Sequence, residues 1–133
     1  MTDKIEDKVM ALPEKLKNND MAHELIELPR EINEKHSKIL ELDGSIIGKK
    51  ALIELEENKL KREVYKDVTL TNKDKRDLAL AEKVQESVEI IDLRDEIKKL
   101  SGEKELNDIQ LKYLYNKFTA IKYLIRLLET LSE

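Results

Sequence analysis

A strict seven-residue repeat runs through the first half of the chain. Leu or Ile recurs at every seventh position from Leu25 to Leu60 without a miss. The six positions are Leu25, Ile32, Ile39, Ile46, Ile53 and Leu60. Such a repeat keeps one apolar line against a partner only if the helix supercoils left-handedly. The repeat continues through Asp43-Gly44, a pair that locally favours a turn, and therefore predicts one helix over residues 21–66.

A second apolar line follows alternating three- and four-residue steps in the other half of the chain. Ten of its twelve positions are apolar. The positions are Ile90, Leu93, Ile97, Leu100, Lys104, Asn107, Leu111, Leu114, Phe118, Ile121, Ile125 and Leu128. The line continues through Ser101-Gly102, which predicts one helix over residues 72–131. Between residues 81 and 91 the spacing holds in a shifted phase, which predicts local unwinding of the supercoil near residue 88.

The segment between the two helices is rich in β-branched residues, which are poor helix formers. Thr71 followed by Asp74 resembles a capping box, in which the hydroxyl accepts from a free amide at a helix start. These signals place a bend at residues 67–71. A bend there would bring Leu60 opposite Leu78 in an antiparallel pair.

The predicted fold is all-α, a long antiparallel helical hairpin of coiled-coil type with a short N-terminal helix over residues 3–18. The whole chain, residues 1–133, is expected to form a single helical domain. The same pairing would bring Leu25 opposite Tyr113. Charged residues make up 41% of the chain while Gly and Pro together number only five, so little material exists for the turns of a sheet.

Composition also limits where the protein can function and which kinds of site it can contain. The chain has no cysteine, which excludes disulfides, thiol nucleophiles and thiolate metal sites. The opening MTDKIEDKVM lacks the apolar core of a signal peptide, and no window approaches the ~18 apolar residues of a membrane span. We expect a cytoplasmic protein that does not bind membranes. The formal net charge of −4 gives no global attraction to nucleic acid.

No arrangement of residues predicts an active site. His23 and His36 lie thirteen residues apart, and neither has a companion at metal-ligand spacing. Most carboxylates have a Lys or Arg within a helical turn, as expected for solvated helix faces. Phosphate-binding loops and serine elbows are absent from the sequence. We therefore predict no enzymatic activity, no metal and no cofactor.

The last helix carries apolar residues all around its circumference between residues 106 and 131. One partner helix cannot cover such a surface. Both a cover by the N-terminal helix and self-association into a homodimer or a higher oligomer are expected. The predicted oligomer interface consists of Leu114, Phe118, Ile121, Leu124, Ile125 and Leu128.

Basic residues concentrate around the predicted bend, with seven between Lys59 and Arg76. Three acids, at positions 63, 67 and 74, lie among them. Six bases are the candidate contacts for nucleic acid or for another partner: Lys61, Arg62, Lys66, Lys73, Lys75 and Arg76. Each neutralised phosphate would make binding more sensitive to salt. The alternative interpretation is a charged cap that keeps the end of the hairpin soluble.

Over residues 53–128 the pattern resembles small coiled-coil proteins of phages and prophages of Gram-positive bacteria. The segments that carry the resemblance are Glu57-Asn58-Lys59-Leu60, Leu70-Thr71-Asn72-Lys73-Asp74-Lys75-Arg76 and Leu111-Lys112-Tyr113-Leu114-Tyr115-Asn116-Lys117-Phe118. The resemblance implies an accessory role near DNA replication or recombination and transfers no catalytic residue.

Two functional hypotheses follow. The leading one is a non-enzymatic oligomeric coiled-coil scaffold or adaptor that binds itself and an unidentified protein partner through the hairpin. The alternative is a nucleic-acid-binding accessory protein of phage recombination or replication, which uses the basic bend.

Overall fold

The computed structural model describes residues 20–132, and within this range it is helical without strands. The helices are α1 (Asp20–Lys66), α2 (Lys73–Glu86) and α3 (Val88–Ser132). The prediction of an all-α protein is confirmed. The helix predicted over residues 3–18 lies outside the described residues.

Helix α1 extends without interruption through Pro29 and Gly44. All six positions of the seven-residue repeat are buried or half-buried, as the repeat predicts. Pro29 lacks an amide hydrogen, so the carbonyl of Leu25 loses its helical hydrogen bond. The side chains of Leu25 and Leu28 are both buried beside this point, and their packing holds the helix together across the proline.

The single helix predicted over residues 72–131 is wrong, because the chain breaks at Ser87. Ser87 is extended, with φ −67° and ψ 114°, and its amide donates to the Val84 carbonyl at the end of α2. Its hydroxyl oxygen accepts from the Ile90 amide, 3.3 Å away, at the start of α3. Ser87 thus caps two helices at once, where the sequence had predicted only unwinding of a continuous helix. All twelve predicted positions of the second apolar line are nevertheless buried or half-buried.

The N-cap of α2 is Asn72 and not the predicted Thr71. The Asn72 side chain accepts from the Lys75 amide at 2.8 Å. Asn is at least as good an N-cap as Thr. The bend is accordingly one residue longer than predicted, and α2 begins at Lys73.

The described residues fall into two compact units. The first, here the terminal unit, comprises the described residues up to Leu40 and those from Glu105 onward. The second, here the tip unit, is Glu41–Lys104. In both, α1 and α3 run antiparallel, and this packing is consistent with the predicted hairpin.

The tip unit has a narrow apolar interior. Its buried side chains are Leu42, Ile46, Val64 and Ile90, of which Ile90 is completely enclosed. Helix α2 has no buried residue. Ion pairs cross between the helices at Lys49–Glu96 (2.7 Å), Lys83–Glu63 (3.4 Å), Arg94–Glu57 (3.7 Å) and Lys104–Asp43 (2.7 Å).

The predicted register within the tip unit is wrong. Leu78, expected opposite Leu60, is exposed, and Leu60 instead lines a groove with Glu86 and Ser87. This is a shift of about two helical turns along the partner. The Lys83–Glu63 ion pair between α2 and α1 shows the same offset.

The terminal unit has a continuous apolar core. Its buried members are Ala22, Leu25, Leu28 and Ile121, and its half-buried members are Ile26, Leu114, Phe118 and Ile125. Tyr113, predicted to face Leu25, is exposed. Lys117 bonds Glu24 at 2.8 Å, and this hydrogen bond holds the pKa of Lys117 above its usual value.

Candidate interaction surfaces

The six residues predicted as an oligomer interface lie mostly in the core of their own chain. Ile121 is buried in the terminal unit, and Leu114, Phe118 and Ile125 pack against the same cluster. Leu128 is half-buried, and only Leu124 is exposed. The assignment of these residues to contacts between copies stays a prediction, and α1 of the same chain already covers most of them. Their spacing identified a buried face, and α1 of the same chain covers that face.

A different face of α3 in the terminal unit is apolar and exposed. We call it the outer stripe, and it consists of Leu106, Ile109, Tyr113, Leu124, Leu127 and Leu131, with exposed Ala120 between its halves. Its members follow three- and four-residue steps on either side of Ala120. They lie roughly a third of a turn around the helix from the inner face and extend for about 37 Å. At 82% Leu131 is the most exposed residue of the set, whereas Leu127 at 44% is the least.

A surface groove of about 420 Å³ adjoins the outer stripe beside Tyr113. Its lining residues are Glu31, Glu34, Lys35, Lys38, Gln110, Tyr113 and Leu114. The ammonium of Lys35 is engaged there, because it donates to the side-chain oxygens of Asn107 and Gln110. The groove thus combines one aromatic wall with charged rims.

The second surface is the basic end of the tip unit. We call it the basic tip, and it contains Lys59, Lys61, Arg62, Lys66, Lys73, Lys75 and Arg76. All except the half-buried Arg76 are exposed. Across residues 20–132, no ion pair joins Lys61, Arg62, Lys66, Lys73 or Lys75 to a carboxylate. The predicted contacts therefore lie at one end of one unit, and five of the six are exposed.

The loop beneath these bases is held by side chains. Asp67 accepts from the Thr69 hydroxyl at 2.7 Å and from its amide at 2.9 Å. These hydrogen bonds hold the pKa of Asp67 below its usual value. Arg76 donates from Nε to the Leu70 carbonyl at 3.1 Å, which fixes its guanidinium against the loop. Val68, at the apex, is 90% exposed.

Tyr65, which the sequence interpretation missed, lies among these bases. Its ring is 58% exposed, with Lys61 Nζ 5.9 Å and Arg76 Cζ 5.4 Å from the ring centroid. The missed signal was Tyr65 four residues after Lys61, a spacing that places both on one helix face.

The histidines are placed as ordinary surface residues. His23 is exposed, and His36 shares a 2.7 Å hydrogen bond with the Tyr115 hydroxyl. In the part of the chain that the structure describes, no group of three or more His, Asp or Glu residues is placed to hold a metal ion.

No described helix combines the length and the hydropathy that a membrane crossing requires. No family model, curated protein or solved structure matches the chain.

Proposed function

We propose that this protein is a non-enzymatic scaffold that associates with copies of itself through the outer stripe of α3. The observation that carries the proposal is the exposure of six large apolar side chains along one helix face. Monomeric soluble proteins rarely expose a contiguous apolar patch larger than a few hundred Å². A helix face of this kind is usually covered by another helix, with its apolar side chains packed into the partner's grooves.

A second copy of the chain is the proposed occupant because the stripe is complementary to itself. When two copies run antiparallel, large side chains meet at both ends of the stripe, with Leu106 opposite Leu131 and Tyr113 opposite Leu124. The small Ala120 then lies opposite Lys117, whose charge is already paired with Glu24. Such a contact is two-fold symmetric and closes on itself, which limits assembly to a dimer. The groove beside Tyr113 offers a pocket for a partner side chain at the edge of this contact.

Replacing Ile109 and Leu127 with Glu tests the proposal. Charges near both ends of an apolar contact oppose association, so we expect the mass by light scattering to fall to that of a single chain. The matched control places the same charges at Ile47 and Leu55, which are 67% and 65% exposed on α1 of the tip unit. The control variant should keep the mass of the unaltered protein. The proposal would be contradicted if the unaltered protein were monomeric at every concentration tested.

A second candidate function is nucleic-acid binding by the basic tip. It is favoured by five bases that have no carboxylate partner in residues 20–132, although acids outnumber bases in the whole chain. Phosphates would release counterions on meeting this surface, which is the main source of affinity in sequence-independent binding. The accessory role near DNA that the phage-protein resemblance implies would use such a surface.

Charge reversal separates the two candidates. Lys73→Glu with Lys75→Glu should abolish binding of a labelled oligonucleotide at about 50 mM salt, where phosphate contacts are strongest. The matched control reverses Lys98 and Lys99, an exposed pair on α3 of the same unit. Equal losses in both variants would indicate a non-specific charge effect, while absence of binding at low salt would remove this candidate.

A further inference from the structure

We infer that Tyr65 is a base-stacking residue and that the basic tip binds single-stranded nucleic acid in preference to duplex. This inference rests on the second candidate function and adds to it a residue and a class of ligand. It begins from the exposure of the ring. Tyr65 lies in the last turns of α1, and more than half of its surface faces solvent in the middle of the most basic part of the described chain.

Two cationic side chains lie close to the ring of Tyr65. Arg76 is fixed by its hydrogen bond to the Leu70 carbonyl, so its guanidinium stays beside the ring. The Lys61 ammonium is carried by a flexible stem and lies 5.9 Å from the ring centroid. A base can therefore displace Lys61 from the ring without disturbing any packed side chain. The displaced ammonium remains in reach of the phosphates on either side of that base.

The neighbouring lysine and arginine side chains supply the contacts to the phosphates. Arg62 and Lys66 follow on α1, while Lys73 and Lys75 begin α2. All four are exposed, and none is in an ion pair within residues 20–132. An aromatic ring set among cations that track a backbone is the arrangement by which proteins bind single strands without reading sequence.

The preference for single strands follows from the availability of base faces. Within a duplex each base is stacked on both sides, so a protruding tyrosine meets only the phosphate surface. An unpaired base can turn out and stack on the ring. Tyr123 is also an exposed tyrosine and lies near two basic side chains, Lys122 and Arg126. It therefore serves as a comparison for the role of Tyr65. It belongs to the terminal unit and lies outside the basic tip.

The test measures fluorescence anisotropy of a labelled oligothymidine of about 15 nucleotides, near the upper site size of a single-strand-binding fold. Tyr65→Ala should weaken binding at least fivefold, and Tyr65→Phe should restore it because the ring is retained. Tyr123→Ala is the matched control and should bind like the unaltered protein. Circular dichroism establishes that each variant remains helical.

An abasic oligonucleotide of the same length supplies the second arm. The unaltered protein should bind it as weakly as Tyr65→Ala binds oligothymidine, and Tyr65→Ala should cause no further loss. Equal affinity of the unaltered protein and Tyr65→Ala for oligothymidine would overturn the inference, as would equal affinity for oligothymidine and duplex. If Lys73→Glu with Lys75→Glu still abolishes binding in those cases, the second candidate function stands alone. Absence of all binding at low salt removes both.

Discussion

The terminal unit and the tip unit contain antiparallel segments of the same two helices, yet different interactions hold them. The terminal unit buries a continuous layer of aliphatic and aromatic side chains. The tip unit encloses Leu42, Ile46, Val64 and Ile90, and helix α2 contributes no buried residue. Among residues 20–132, ion pairs cross between helices of the tip unit at Lys49–Glu96, Lys83–Glu63, Arg94–Glu57 and Lys104–Asp43, and the Glu24–Lys117 pair crosses in the terminal unit.

This difference has an energetic meaning. A fully buried aliphatic side chain contributes about 1.5–3 kcal/mol, while an exposed ion pair contributes about 0–1 kcal/mol. The ion pairs of the tip unit therefore cannot replace the apolar layer of the terminal unit. What remains to hold the tip unit is its small interior and the capping hydrogen bonds of its loop and of Ser87. An uninterrupted apolar repeat can therefore support two different balances of forces along the same helices.

The largest effect is expected from a substitution in the apolar layer of the terminal unit. Ile121→Ala should lower the free energy of unfolding by about 2–4 kcal/mol, because it leaves a cavity in a closed core. Leu80→Ala, at a half-buried position of α2, should cost about 1 kcal/mol or less, since less of that side chain is removed from water. Urea denaturation followed by circular dichroism measures both. Equal losses would show that a side chain in the apolar layer of the terminal unit contributes no more than one on the half-buried face of α2.

The next effect tests the caps of the tip unit. Ser87→Ala removes the hydroxyl that accepts from the Ile90 amide and should cost about 1 kcal/mol of stability. Ser45→Ala, at an exposed position inside α1, is the control and should be neutral or slightly stabilising, since Ala is the better helix former. Thermal unfolding separates the two. A neutral Ser87→Ala would show that the cap contributes little.

A gain of stability is expected at the helical glycines. A Cβ atom built at Gly44 or Gly102 meets no other atom within 4 Å, and neither residue has a positive φ. Gly44→Ala and Gly102→Ala should therefore each stabilise the tip unit by about 0.5–1 kcal/mol. A loss of stability at either position in urea denaturation would mean that another molecule packs against that glycine.

The smallest effect concerns pH at the loop of the tip unit. The Thr69 hydrogen bonds lower the pKa of Asp67, so this carboxylate stabilises the folded state above its unfolded pKa. That contribution is lost as the pH falls through the folded pKa. Thr69→Val removes the hydroxyl, the larger of the two causes, and should raise the pKa of Asp67 toward its usual value in an NMR titration. An unchanged pKa would show that the backbone amide alone sets it.

The apolar periodicity predicted which helix faces are buried but not what covers them. Ile121 and Ile125 were correctly assigned to an apolar face, and that face packs on α1 of the same chain. An apolar line along a helix indicates only that something packs against it. In the terminal unit, α1 of the same chain packs against the apolar line of α3. The exposed Ile109 lies on a second stripe that was recognised only as part of a helix apolar on all sides.

The errors at the bend have a different origin. The Asn72 cap and the Ser87 break depend on which side-chain oxygen reaches which amide, and several neighbouring residues could make either contact. The one-residue change at the loop accounts for only a small part of the shift of about two turns in pairing, so the register depends on packing beyond the loop. The spacing of Tyr65 to Lys61 was available in the sequence, whereas its proximity to Arg76 depends on where Arg76 falls after the loop.

Asn107 is a buried polar residue within the apolar line of α3, and Lys35 donates to its side-chain oxygen at 3.3 Å. If the two helices slid by one turn, this amide would lose Lys35 as its donor, at a cost of about 1–3 kcal/mol. An apolar residue at the same place would tolerate several alignments almost equally. The buried amide therefore disfavours other alignments of α1 and α3 in the terminal unit. It contributes less stability than an apolar side chain would, but it favours one arrangement.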